Sequence, residues 1–365
     1  MIFVLSLVLI VNAVVSFLSD FNFPDDKKRV MASFLCNFLF WHGVAQGGIA
    51  FYAVVKLAKG FWAKNIVRIA QSTFYFLIVS SMSIFVLFLG RDIIFPYVEH
   101  PNWWMNTKFT FGRDGALLFA MILISFLLVK NSVDSDALYI SDEQKEKTKR
   151  KIKILSVVFI PLYFFSYTII SWDLVMSLTP GWFSTVFGPF YFIGMFYTFL
   201  SIFPLMLLYV KNRYSFNVTE SQFHSIGNLM LGFVGFWTYL FYVELNTIYQ
   251  GNIPEEAHIL SKGFFKFSGV FWTYFATSFV IPFFLLFSIK LKRSFTALSL
   301  IGIVMFIGAL AQRYLMVYSR IFDKPYFGWI ELSLFGGFLG AFLICFNLFL
   351  RTVPLNSKFE SEWFC

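Results

Sequence analysis

Apolar residues in this chain neither alternate with polar ones nor recur as a narrow helical stripe. They come in unbroken runs separated by short polar stretches, as where IFVLSLVLIVNAVVSFL gives way to SDFNFPDDKKR. A hydrocarbon core takes a helix of roughly 17 to 25 residues. Ten such runs fit in order, at approximately 2–18, 33–58, 68–90, 114–130, 152–171, 184–210, 222–249, 265–289, 294–318 and 329–350. Each is expected to be helical, because unpaired backbone amides are not tolerated in lipid and nothing here alternates like a barrel strand. Pro161, Pro204 and Pro282 fall inside three of the runs. Each should kink its helix and free a carbonyl that a neighbouring helix or water must satisfy.

Composition agrees with the pattern. With 58% hydrophobic and 13% charged residues and a mean hydropathy of +0.72, the chain falls outside the range of soluble domains. It reads as an all-α integral membrane protein, a single polytopic domain over 1–365. The first run lacks a basic flank before it and a small-residue cleavage site after it, so it is expected to be a retained helix. The net charge of +9 then concerns topology rather than nucleic acid. Counted on alternate sides, 18 of the 29 Lys and Arg lie on one side and 10 on the other, with Arg313 inside the ninth run. The excess marks the cytoplasmic side and puts both termini there. Its largest contribution is SDEQKEKTKRKIK (141–153), read as a solvated connector.

Three outer loops follow from that orientation: FPYVEHPNWWMNTKFTFGRD (95–114), SWDLVMSLTPGWFST (171–185) and YQGNIPEEAHILSKG (249–263). Trp, Pro, Gly and carboxylates dominate them, the composition of a folded cap suited to docking an extramembrane subunit. The second raises a question, because Asp173 stands between two apolar runs with no Lys or Arg in its loop. Cofactor motifs are missing. Cys36, Cys345 and Cys365 are single and far apart, which excludes an iron–sulfur run or a CxxCH haem site. Only His42 among four His lies well inside a run, so a haem held by two His is not expected. No cofactor or metal site is expected in this chain. GVAQGG (43–48) reads as a surface for close helix contact.

What remains is a set of polar groups in or edging the membrane, which are costly in lipid and point to function. Asn37, His42 and Gln46 share the second run, Glu244 lies in the seventh, and Gln312 and Arg313 lie in the ninth. Asp114 opens the fourth run and Glu331 the tenth. With Asp173, most of these gather in the outer half. Asp173, Glu244, His42, Asp114, Arg313 and Glu331 are therefore candidates for a proton path. Alternatively His42, Asp173 and Arg313 form a quinone headgroup pocket. Structural readings stand beside these: Arg313 paired with Glu331, His42 as a neutral imidazole on a backbone carbonyl, and Asp173 capping its loop. A secondary transporter, with helices broken at the prolines, is a further alternative.

Several segments in one order resemble the NrfD/polysulfide-reductase class of membrane subunits, most closely its ActF-like branch from alternative complex III. WHGVAQGGIAFYAVVKLAKGFWAKNIVRIAQ (41–71) resembles that family's glycine-containing helix with its following Trp and basic loop. SWDLVMSLTPGWFST with FGPFYFIG (187–194) resembles its WDWLMSLEPHWFST-like segment. HSIGNLMLGFVGFWTYLFYVELNTIYQGNIPEE (224–256) is similar to its HDLGNLLFAF…FWAY…FSQ…WYGNLPEE stretch, and RYLMVYSRIF with WIELSLFGGFLGAF (329–342) to its closing helices. The likeness covers about 34–352. Glu244 replaces a Gln of the family pattern, and Thr179 and Gly181 replace its Glu and His.

The resemblance implies two four-helix bundles, helices 2–5 at about 33–171 and helices 6–9 at about 184–318, with helices 1 and 10 peripheral. It implies a non-redox subunit of a quinol:cytochrome c (or other acceptor) oxidoreductase in the electron-transport chain of the bacterial inner membrane. The partners implied are a second, ActC-like NrfD subunit, an ActB-like iron–sulfur protein, multihaem cytochrome c subunits and a terminal oxidase. Haem c and iron–sulfur clusters would sit in those partners, and menaquinol or ubiquinol would be the substrate of the complex. In the family the quinol site is attributed to the ActC-like paralogue, and proton translocation has been considered for the ActF-like one.

Overall fold

The computed structural model describes residues 2–21, 23–137, 142–357, 359–360 and 363; Met1, Ser141, Lys358 and Cys365, on which the sequence reading also drew, lie outside them. Ten helices are long and apolar enough to cross a membrane: α1 Ile2–Asp20, α2 Asp26–Leu57, α3 Val67–Leu89, α4 Thr107–Asp136, α5 Asp142–Leu178, α6 Phe187–Tyr214, α7 Glu220–Gly251, α8 Ser268–Leu286, α9 Phe295–Ile321 and α10 Trp329–Thr352. No strand occurs among the described residues. The chain is an all-α, multi-pass membrane protein.

Helix ends follow local chemistry. Thr219 starts α7 with a capping box, its hydroxyl accepting from the Gln222 amide at 3.2 Å while Gln222 Oε1 accepts from the Thr219 amide at 3.0 Å. Ser294 caps α9 by accepting from the Ala297 amide at 3.3 Å. The connector 141–153 departs from expectation, being helical from Asp142 and continuous with α5. Its long unbranched side chains are good helix formers, and Glu143–Lys147 (2.7 Å) and Glu146–Lys149 (2.9 Å) pair along one face. In α8 a wider π-type turn, Ala276–Val280, precedes Pro282. The ring cannot bond the Ser278 carbonyl, and the Tyr197 hydroxyl of α6 takes it instead at 2.8 Å.

Helices α2 to α5 close one ring of neighbours and α6 to α9 a second, while α1 packs on α10 and α10 on α2 and α3. The rings share a wall in which α2 meets α6 and α9. That wall is the core: 94% of the apolar window of α2 and 83% of that of α6 are buried, against 17% for α1. Small residues set its spacing, as GVAQGG suggested. A Cβ on Gly47 would stand 2.4 Å from the Phe199 Cβ of α6. Gly47→Ala is therefore expected to cost about 1–3 kcal/mol and to lower the melting temperature in detergent. Gly235→Ala, where a Cβ meets nothing within 4 Å, should not. Equal melting of the two variants would refute a tight wall.

Both ends of the chain reach one face. The Arg351 guanidinium at the end of α10 lies 4.9 Å from the Phe3 ring at the start of α1. Glu360 enters between Tyr52 of α2 and Ser132 of α4. This is the side rich in Lys and Arg, the one the charge count expects to face the cytoplasm.

Candidate functional site

At the outer end of the first bundle, the opening puzzle of Asp173 resolves. Asp173 is not in a loop but near the end of α5's main helical stretch, fully buried. Its Oδ2 accepts from Arg113 of α4 at 2.9 Å (Nε) and 2.5 Å (Nη2). The cation was thus 60 residues away in sequence. Trp104 lies flat over it, 3.9 Å from Cζ to ring centre, in a turn where Asn102 Oδ1 accepts from the Trp104 and Met105 amides at 2.9 and 2.7 Å. Asp114, also fully buried, is close enough to Asp173 to interact with it, and neither of its oxygens has a hydrogen-bond partner. Tyr97 closes the group from the preceding loop, with its hydroxyl unpartnered. Burial first, then the nearby Asp114 and Asp173, push its phenol well above the usual range, so it stays an O–H donor.

Deeper in the same bundle His42 bridges two helices. Its Nδ1 lies 3.0 Å from Ser80 Oγ and its Nε2 2.7 Å from Tyr167 OH. Tyr167 OH donates on to Gln46 Oε1 at 3.2 Å, and Gln46 Nε2 donates to Ser125 Oγ at 3.3 Å. The partners of His42 are therefore side chains and not the backbone carbonyl expected. Nearer the basic face Glu360 accepts from Ser132 Oγ at 2.5 Å, from Tyr52 OH at 3.2 Å and from Lys56 Nζ. Arg68 pairs with Asp136 beside it and donates to Gln71 Oε1 at 2.8 Å.

Three polar stations are thus stacked along α2, α4 and α5. Six residues separate Tyr167 from Asp173, and six separate Gln46 from Tyr52. At 1.5 Å per residue the helix rises about 9 Å over each interval.

Other expected residues lie elsewhere. Glu331 pairs with Arg29, at 2.7 Å to Nε and 2.6 Å to Nη2, and accepts from Tyr318 OH at 2.9 Å. The alternative pairing with Arg313 does not form. Arg313 is fully buried in the second bundle, its guanidinium 4.4 Å from the Tyr191 ring, with Nε and Nη2 unpartnered. Glu244 accepts from Ser184 Oγ at 2.7 Å and shares a cavity of about 140 Å³ with Arg320, Gln312 and Trp182. His42, Asp173 and Arg313 each have separate partners and do not form one pocket. At the variant positions of the outer loop, Gly181 turns at φ 84°, where a side chain would be strained, and Thr179 Oγ1 accepts from Arg320 at 3.3 Å.

Sequence reasoning missed Arg113, Arg29, Arg320, Tyr97, Tyr167 and Glu360. Five of them fall in loops or the tail of the ten-run reading, and only Tyr167 lies inside a run. Arg113 had a signal, standing next to Asp114 at the head of a run.

No family model matches this chain, and no curated protein matches it either.

Proposed function

We propose that the chain is an ActF-like membrane subunit of a quinol:acceptor oxidoreductase, and that its first helix bundle carries protons between the two faces. The observation that carries this reading is the stack of three buried polar stations within α2 to α5. Buried groups able to take and release protons are rare in lipid, and their alignment across the membrane suits a relay better than a scaffold. The paired segments around 171–194 and 224–256 support the family assignment.

In this reading the chain holds no redox centre. Haem c and iron–sulfur clusters belong to partner subunits docked on the Trp-rich outer cap, and menaquinol or ubiquinol is oxidised in the complex within a bacterial inner membrane. Protons enter at Glu360, cross by His42, Tyr167 and Gln46, and leave at Asp173 and Asp114. Purification of the tagged chain from its own membranes in mild detergent tests the assignment. Co-isolation of c-type haem absorbance, an iron–sulfur signal and quinol oxidation is the expected result. A chain recovered alone and without quinol oxidation overturns it.

A further inference from the structure

We propose that a groove on the basic face, between the end of α2 and the start of α5, binds the phosphate of an anionic phospholipid. The inference does not depend on the redox reading.

The groove encloses about 540 Å³, with Leu57, Phe61 and Trp363 as apolar walls. Five cations line it, but two are already satisfied. Lys56 pairs with Glu360 and lies 3.9 Å from the Trp363 ring centre, and Lys149 pairs with Glu146. Lys59, Arg150 and Lys153 line the same groove with no carboxylate partner among the described residues. The one carboxylate in the lining, Glu146, is already paired with Lys149, so three cations share the groove with no ion-pair partner and call for an anion.

Lys59 adds an independent observation. It sits at φ 52° just past the end of α2, where helices commonly place glycine because a Cβ is strained there. The chain keeps a lysine at that position, with its charge on the groove.

The surroundings select a lipid. Towards the middle of the membrane, α5 exposes Ile154, Val157 and Val158. Arg150, Ile154 and Val158 repeat every fourth residue on one face, and Lys153 and Val157 lie beside them. A phosphate held by Lys59, Arg150 and Lys153 therefore has an apolar track below it for acyl chains. Phe61, more than half exposed at the rim, suits the interface. Basic pockets at the cytoplasmic ends of helices are the usual sites for such headgroups.

The test uses the purified, delipidated full chain, titrated with phosphatidylglycerol in detergent and followed by native mass spectrometry. One phosphatidylglycerol should be retained. Combined Lys59→Gln, Arg150→Gln and Lys153→Gln should weaken retention about a hundredfold, each charge contributing about fivefold. Lys59→Gly alone should weaken it about fivefold while melting no lower than the parent, which guards against a folding artefact. Lys290→Gln with Arg293→Gln, on the same face but outside the groove, should change nothing. Equal retention of phosphatidylcholine, displacement of the lipid by millimolar inorganic phosphate, or equal loss in the Lys290/Arg293 control would each overturn the proposal.

Discussion

For the proposed proton relay, Asp173→Asn is expected to slow proton release about a hundredfold and to destabilise the chain at the same time. The two effects have different causes. Asn keeps the shape and an acceptor oxygen, but Arg113 loses the counter-ion of a pair in which the Asp173 side chain is fully buried and the Arg113 side chain 11% exposed. Breaking one half of such a pair costs about 3–5 kcal/mol, visible as a lower melting temperature. Loss of a titrating group in a relay costs about 10² in rate. Arg113→Gln together with Asp173→Asn separates them, because removing both charges leaves neither stranded. Stability should largely return while proton release stays slow. Full proton release in the double variant would make the outer station a clasp between α4 and α5 and nothing more.

The carboxylate pairing at Asp173 recurs around the outer face. Glu331 has Arg29, and Glu244 shares its cavity with Arg320. Arg29, Arg113 and Arg320 are three of the ten outer Lys and Arg that the sequence could only count as topology signals. Pairing does not change the 18 to 10 count, which rests on Lys and Arg alone, but it gives each of these three a structural role the count did not show.

Spans and a place of close helix contact were legible because they follow from local patterns, whereas the grouping into bundles rested on the family resemblance alone. Run length reports a crossing, and GVAQGG reports close approach, realised where Gly47 meets Phe199. Even the carbonyl freed by Pro282 was foreseeable, though its taker, Tyr197, was not. Pairing partners were illegible for a different reason. Arg29 and Glu331 are 302 residues apart and Lys56 and Glu360 are 304 apart, so no spacing rule relates them. Sequence shows only that an acid in lipid needs a partner, and burial then forces the fold to supply one. The connector 141–153 was half legible: its charges do face solvent from Asp142 on, but it is helix rather than loop, with side-chain pairs along it.

Glu360→Ala is expected to have the largest effect on stability, because one carboxylate at the end of the chain serves three buried groups. Lys56 has a fully buried side chain, and Tyr52 and Ser132 both donate to Glu360 Oε1. Alanine takes from Lys56 its buried ion pair and from Tyr52 and Ser132 their acceptor, at a cost of about 3–5 kcal/mol for the broken pair. The tail should leave its site, so that limited proteolysis cuts soon after Val353, where α10 has ended. Lys56→Met combined with Glu360→Met should recover most of the melting temperature, since an apolar pair of similar volume is often neutral or stabilising in a buried site. Glu360→Gln discriminates between a clasp and an entry point for protons. It keeps an acceptor for Tyr52 and Ser132 and holds the tail better than alanine, but it does not titrate. The relay requires this variant to resist proteolysis more than Glu360→Ala while proton uptake from the basic face falls about a hundredfold. Uptake at the parent rate in Glu360→Gln would assign the residue to anchoring the tail and end the path at Gln46.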